Sequence, residues 1–172
     1  GVQTCALPIS GLQMHGTGTS LGDPVEVGAL SAVLLGSSHS QTPLALSAVK
    51  SCVGHSEAAA GLSGLLQLFG PLLMGTHSPL LHLRSVNPLV ANVLDAQARK
   101  GGKSVQLPRY SSVQCTDLDA DTQCVYGASG FAFQGTNAHA LLTVSSNATE
   151  SGKHRGREAV CTWKGVRCWI VS

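Results

Sequence analysis

The sequence predicts an α/β fold built on a mostly parallel sheet covered by helices, and three observations carry that reading. Short apolar runs at 44–49, 105–113, 123–126 and 138–144 alternate with longer segments of helical spacing. Strands separated by helices favour parallel pairing, because a parallel crossover needs a dozen or more residues. Only 12% of the 172 residues are charged and 43% are hydrophobic. Ordinary domains carry about 25% charge, so this surface is short of charge and the chain reads as globular.

The elements follow in chain order. Gly22-Asp23-Pro24-Val25-Glu26 reads as a helix start, with Asp23 as cap, Pro24 at the first position and Glu26 completing a capping box. Val27, Leu30 and Leu34 continue it at helical spacing, and Gly36 provides the stop. Leu44 to Val49 reads as a buried strand ending at Lys50. After a Gly/His turn, Ser56 is placed to cap a second, buried helix running to about Met74, with Pro71 bending or ending it. That stretch falls short of the roughly 20 apolar residues of a membrane span. Asn87-Pro88 opens a helix through about Ala98, closed by Arg99-Lys100-Gly101-Gly102. Strands are expected at 105–113, 123–126 and 138–144, with a Gly-rich turn over Gly127 to Asn137.

The net charge of +2 forms no basic stripe, which argues against nucleic acid as a partner. Six cysteines form no C-x-x-C pair and nothing reads as a signal peptide, so a reducing, cytoplasmic compartment is expected, with an organelle left open. No Cys or His pair has zinc-ligand spacing, so no metal is expected. The ends differ from the middle. Residues 150–172 carry five Lys/Arg against two Glu and both tryptophans. Residues 1–10 are read as an atypical N-terminal segment, 11–149 as the folded part and 150–172 as a basic, disordered tail.

Three segments carry the chemistry: HGTGT at 15–19, KSCVGHSE at 50–57 and GFAFQGTN at 130–137. Each sets polar groups on a Gly-permitted turn beside an apolar element, where α/β proteins gather their sites. A lone histidine is more often structural, but His15 and His55 both lie on glycine turns with Lys50 and Glu57 nearby. With their flanks, HGTGTSLGDPVEVGAL, VKSCVGHSEAAAGLSGLL and GASGFAFQGTNAHALL resemble, in this order, the motifs of β-ketoacyl synthases. The nearest likeness is to ketosynthase domains of polyketide and fatty acid synthases, over about residues 12–145. The resemblance implies the C-terminal half of a thiolase-like fold, in which two similar halves stack as five α/β/α/β/α layers. The nucleophilic cysteine would belong to the other half.

The resemblance also implies roles. His15 and His55 match the catalytic histidines that hydrogen-bond a thioester oxygen, as preorganised oxyanion donors do. Lys50 and Glu57 match a supporting electrostatic pair, a direct proton-transfer role for Lys50 being the less favoured. Thr17 and Thr19, with Asn137, match contacts to a phosphopantetheine arm. Phe133 matches the aromatic gate whose backbone N–H binds a second oxyanion, whereas Phe131 is read as core. Implied partners are an acyl carrier protein, acyl and malonyl thioesters, the absent N-terminal half and a second subunit in a homodimer. The substrates would ride on the carrier's phosphopantetheine, with no cofactor held by the chain itself and no membrane contact.

Departures are visible too. Cys52 stands where Asn is usual and reads as buried packing, not as the nucleophile. Ala132 and Gln134 replace glycines of the gate loop, and Gln13 replaces an acid. The competing readings are a thiolase-type acyl-CoA enzyme fragment and a noncatalytic, dimer-supporting module. Without the nucleophile, the isolated chain is expected to be inactive.

Overall fold

The computed structural model describes residues 9–35, 42–109, 113–114 and 124–144. Gly36, the tail over 150–172 and the N-terminal residues 1–8 therefore lie outside the described residues. Strand β1 (Ile9–Gln13) leads through a turn into helix α1 (Gly22–Leu30), which runs on as a wider π-helical turn over Ser31–Leu35. Then come β2 (Leu44–Ser47), the short α2 (Lys50–Val53), a 3-10 turn (Glu57–Ala59), α3 (Ala60–Gln67) and a second π-helical turn (Gly70–Met74). The chain continues through β3 (Thr76–His77), α4 (Pro88–Arg99), β4 (Val105–Gln106), β5 (Val113–Gln114), β6 (Cys124–Phe131) and β7 (Asn137–Val144).

Five strands form one sheet in the order β4-β2-β1-β6-β7. The β4–β2, β2–β1 and β1–β6 pairs are parallel and only the β6–β7 hairpin is antiparallel, as the strand–helix alternation predicts. All four residues of β2 are buried, the pattern of a strand covered on both faces. On one face, α1 and α4 pack Val27, Leu30 and Val90 against Leu12, Leu44 and Leu46. On the other, Leu68 and Leu72 meet Tyr126 and Ala128. Fully burying a Leu or Val contributes about 1.5–3 kcal/mol, so these two layers hold the sheet. Gly11 on β1 leaves room for the second layer: a Cβ there would stand 2.7 Å from His77 Cε1 and 2.9 Å from the Tyr126 ring.

Several boundaries differ from the expectation. Strand β1 begins at Ile9, inside the segment read as atypical. Among the described residues the run 105–113 holds β4 and the first residue of β5, and it crosses Pro108, which cannot donate to a ladder. Strand β6 reaches Phe131 and absorbs much of the expected Gly-rich turn, since Gly127 to Gly130 pair in register with Leu141 to Ala138. Asn87 does cap α4, its side-chain oxygen accepting the Leu89 N–H at 2.9 Å. Ser56 makes no such cap and instead bonds the Ser63 hydroxyl at 3.1 Å.

The expected buried helix over 58–74 is also corrected. It is broken into a 3-10 turn, α3 and a π-helical turn, with Gly70 and Pro71 at the last break. Glu57–Met74 is long and apolar enough to qualify as a span by length and composition, yet only 28% of it is buried. Leu62 is 60% exposed, Leu66 57%, Phe69 37% and Leu73 41%, a stripe at helical spacing on the face turned away from the sheet.

Candidate functional site

The site begins where β1 ends. Met14 extends the ladder by donating to the Ser47 carbonyl at 2.8 Å, and the chain then reverses through Gly16 (φ +49°) and Gly18 (φ +71°). These left-handed values suit glycine, and a Cβ on Gly16 would meet that of Ala48 at 2.9 Å. Helix α1 reaches back to hold the turn. Glu26, 7% exposed, accepts the His15 N–H at 2.7 Å on Oε1 and the Gly16 N–H at 2.9 Å on Oε2. Asp23 accepts the Gly18 N–H at 3.1 Å. The expected capping box is thus not formed: Leu21 is the helix cap, Pro24 lies at the third helical position, and both carboxylates serve the preceding turn. Burial raises the Glu26 pKa, and the two amide donors work against that rise.

The second turn follows β2. Lys50 opens α2 instead of ending a strand, and its ammonium donates to the His15 carbonyl oxygen while lying 3.5 Å from His15 Nδ1. Burial lowers the Lys50 pKa, and the Glu26 and Asp23 carboxylates oppose the effect. Beyond Gly54 (φ +76°), Glu57 occupies the left-handed region at φ +44° and its N–H donates to His55 Nδ1 at 3.1 Å. A non-glycine residue there carries backbone strain, and here it presents the amide to the imidazole.

The two turns bring His15 and His55 together, with ring centroids 6.1 Å apart and planes at 89°. Phe131, at the end of β6, lays its ring 5.4 Å from that of His15 and donates its N–H to His15 Nδ1 at 3.3 Å. Each imidazole therefore accepts a backbone N–H on Nδ1, which places the proton of the neutral ring on Nε2. Burial lowers the His15 pKa, with Lys50 and His55 adding to the effect, so the neutral form is favoured. The arrangement offers two Nε2–H donors on rings 6.1 Å apart, the chemistry of an oxyanion site. Beneath the His15 turn lies a mainly apolar cavity of about 330 Å³, lined by Val27, Leu46 and Val90 and edged by Thr17, Asp23 and Lys50.

Relatives of known type share this frame. A family profile described as Beta-ketoacyl synthase, C-terminal domain, matches residues 3–84. The oxazolomycin ketosynthase domain OzmH KS7 of Streptomyces albus JA3453 superposes with a TM-score of 0.67 at 30% identity, covering 85% of this chain and 23% of that one. The chain belongs to the β-ketoacyl synthase family. The hybrid PKS-NRPS synthetase iliA of Neonectria sp. is 33% identical over 154 residues, 85% of this chain and 3% of that protein. Polyketide synthase GfsA of Streptomyces halstedii is 32% identical over 163 residues, 94% of this chain and 2% of its own length. The chain is thus a partial ketosynthase C-terminal domain of polyketide-synthase type, with the thiolase-like α/β fold.

Within this ketosynthase half, three expectations about side chains are corrected. Lys50 and Glu57 form no ion pair: Lys50 turns to His15, and Glu57 is exposed and serves His55 through its backbone. Phe131 is 39% exposed and packs on His15 instead of filling the core. Cys52 is exposed, with Sγ 3.9 Å from the Pro79 carbonyl. In the gate loop only Gly135 (φ +83°) is left-handed, so Ala132 and Gln134 keep backbone angles open to any residue. Phe133 projects wholly into solvent at the tip of the β6–β7 turn, and exposed Asn137 opens β7 opposite Phe131. Thr17 and Thr19 are exposed and linked through their hydroxyls at 3.1 Å, with Thr19 also accepting the Gly22 N–H. Gln13, 1% exposed, bonds the Ser47 hydroxyl at 2.8 Å, a neutral pair in place of a buried charge. The residue that sequence reading missed is Glu26. Its signal was an acid eleven positions after His15 on a helix that packs on the turn, but local capping explained it first.

Proposed function

We propose that this chain supplies the thioester-polarising half of a ketosynthase that condenses acyl and malonyl groups carried on the phosphopantetheine of an acyl carrier protein. The observation that carries this reading is the pair of Nε2–H donors on His15 and His55, each set by a backbone N–H on Nδ1. When a malonyl thioester loses carbon dioxide, the C–CO₂ electron pair moves into an enolate whose negative oxygen lies between the two donors. Fixed donors stabilise that charge without reorganising, which in many enzymes contributes more to the rate than any other effect. The enolate carbon then attacks an acyl group held on a cysteine of the N-terminal half, forming the carbon–carbon bond and releasing the thiolate.

In this reading His15 and His55 touch the reacting oxygen. Lys50 positions His15 through its carbonyl, and Glu57 positions His55 through its amide. Thr17, Thr19 and Asn137 line the path of the arm, and Phe133 with its backbone N–H closes over the acyl-cysteine. The parent enzyme acts as a homodimer in a reducing, cytoplasmic compartment. Residues 11–149 form the working half and 150–172 a tail outside it. A dimer-supporting module without chemistry would have no need of two imidazoles held 6.1 Å apart.

The test joins this chain to an N-terminal ketosynthase half and follows condensation of acyl and malonyl carriers by intact mass. His15→Ala and His55→Ala are expected each to lower condensation by at least about 100-fold, the scale of losing one oxyanion donor. Condensation unaffected by both would overturn the reading. The chain alone is expected to gain no acyl mass, and stoichiometric acylation of Cys52 would overturn the assignment of the nucleophile to the other half.

A further inference from the structure

We infer that Glu26 is a positioning residue for His15, setting through the backbone which nitrogen of the imidazole carries the proton. The inference rests on the role proposed for His15 but is read from contacts alone. The Glu26 carboxylate is nearly buried, and both of its oxygens are used, at 2.7 Å by the His15 N–H and at 2.9 Å by the Gly16 N–H. The carbonyl of His15 faces the other way, onto the Lys50 ammonium. His15 is therefore gripped on both sides of its backbone by two opposite charges.

That grip matters because the His15 ring has a narrow target. Its Nδ1 must meet the Phe131 N–H, which comes from a strand 116 residues away and cannot follow the turn if it moves. The turn has little stiffness of its own, since Gly16 and Gly18 bracket Thr17 and glycine resists no rotation. Asp23 and the Thr19 hydroxyl hold its far end, at the Gly18 and Gly22 N–H groups, and not the His15 end. Charge-assisted hydrogen bonds are about twice as strong as neutral ones, so the carboxylate supplies the rigidity that two glycines remove. The negative charge also offsets the cost of holding Lys50 charged beside His15, as its upward pull on the Lys50 pKa reflects.

A neutral amide at position 26 would accept one N–H and present an NH₂ group to the other. The shorter Asp keeps the charge but cannot span both amides without moving the helix. The test uses the full 172-residue chain, ¹⁵N-labelled, with His15 ring nitrogens and backbone amides read by NMR. The native chain should show a single Nε2–H tautomer and slow exchange of the His15 and Gly16 amides. Glu26→Gln should quicken that exchange by about tenfold or more and populate the Nδ1–H tautomer, on the scale of losing a hydrogen bond to a charged group. Glu26→Asp should fall between, and it gives the reading if Gln prevents folding. Val27→Ala, which loosens the same helix without touching the carboxylate, should leave the His15 tautomer unchanged.

A single Nε2–H tautomer with protected amides in Glu26→Gln or Glu26→Asp would overturn the inference. So would an equal tautomer mixture in Val27→Ala, because helix packing alone would then account for the effect. Failure of the condensation reading shows separately, as activity surviving His15→Ala, and leaves the ring signals untouched.

Discussion

The backbone N–H of Phe131 reaches Nδ1 of His15 at 3.3 Å, and the Phe131 ring lies 5.4 Å from the imidazole. This contact exists because β6 lies parallel beside β1, so both strands deliver their C-terminal ends to one edge of the sheet. The ring of Phe131 also shields the imidazole, and burial is the first cause of the lowered His15 pKa. Phe131→Ala keeps the backbone donor and removes the shield. The His15 titration should then move up toward the ordinary value near 6.5, as read by imidazole proton shifts. An unchanged or lower titration point would show that the neighbouring charges, not burial, set the value.

Acid should weaken the fold through the buried imidazole of His77. Burial lowers the pKa of His77, which is 5% exposed. The unfolded chain therefore binds more protons than the folded one as pH drops below about 6.5, and stability rises with pH across that window. Above it both states are neutral and the dependence vanishes. Denaturant midpoints should fall between about pH 7.5 and about pH 5.5, on either side of that ordinary value, and His77→Gln should flatten the slope. Equal midpoints at both values would contradict the burial of this ring.

Two left-handed glycines separate conformation from crowding. Gly16 (φ +49°) has Ala48 at 2.9 Å from an added Cβ, whereas Gly101 (φ +73°) has open space around it. Gly101→Ala should cost about 1–2 kcal/mol, the penalty of the left-handed backbone alone. Gly16→Ala adds a side-chain clash and should cost more, with displaced amide shifts at His15. Chemical denaturation gives the order, and equal losses would mean that Ala48 yields freely.

The stripe of Leu62, Leu66, Phe69 and Leu73 leaves apolar surface in water. Exposed apolar stripes of this kind promote association, so the chain should self-associate with rising concentration. Leu66→Glu together with Phe69→Glu should shift sedimentation toward monomer without lowering the unfolding midpoint, because neither side chain lies in the core clusters. Monomeric behaviour of the unaltered chain at high concentration would sink the expectation.

The alternation of apolar runs with helical segments was enough to order the elements and make the sheet mostly parallel, since chain length between strands forbids tight hairpins there. The Asn87 cap was legible for the same reason: its partner, the Leu89 N–H, lies two residues away. The three motifs marked His15, Lys50, His55 and the 130–137 turn because glycine and polar residues cluster there in sequence. Only the tertiary structure decided what those groups do to one another. Glu26 and Asp23 looked like helix caps because local bonds are the ones a sequence can rank, yet both carboxylates face a turn that folds back over them. Lys50 chose the His15 carbonyl over Glu57, and Phe131 left the core for an imidazole, because strand pairing across long separations set which groups meet. The exposed side of α3 shows the same division: its apolar residues were plain in the sequence, and which of them the sheet covers depended on how the helix lies across β6.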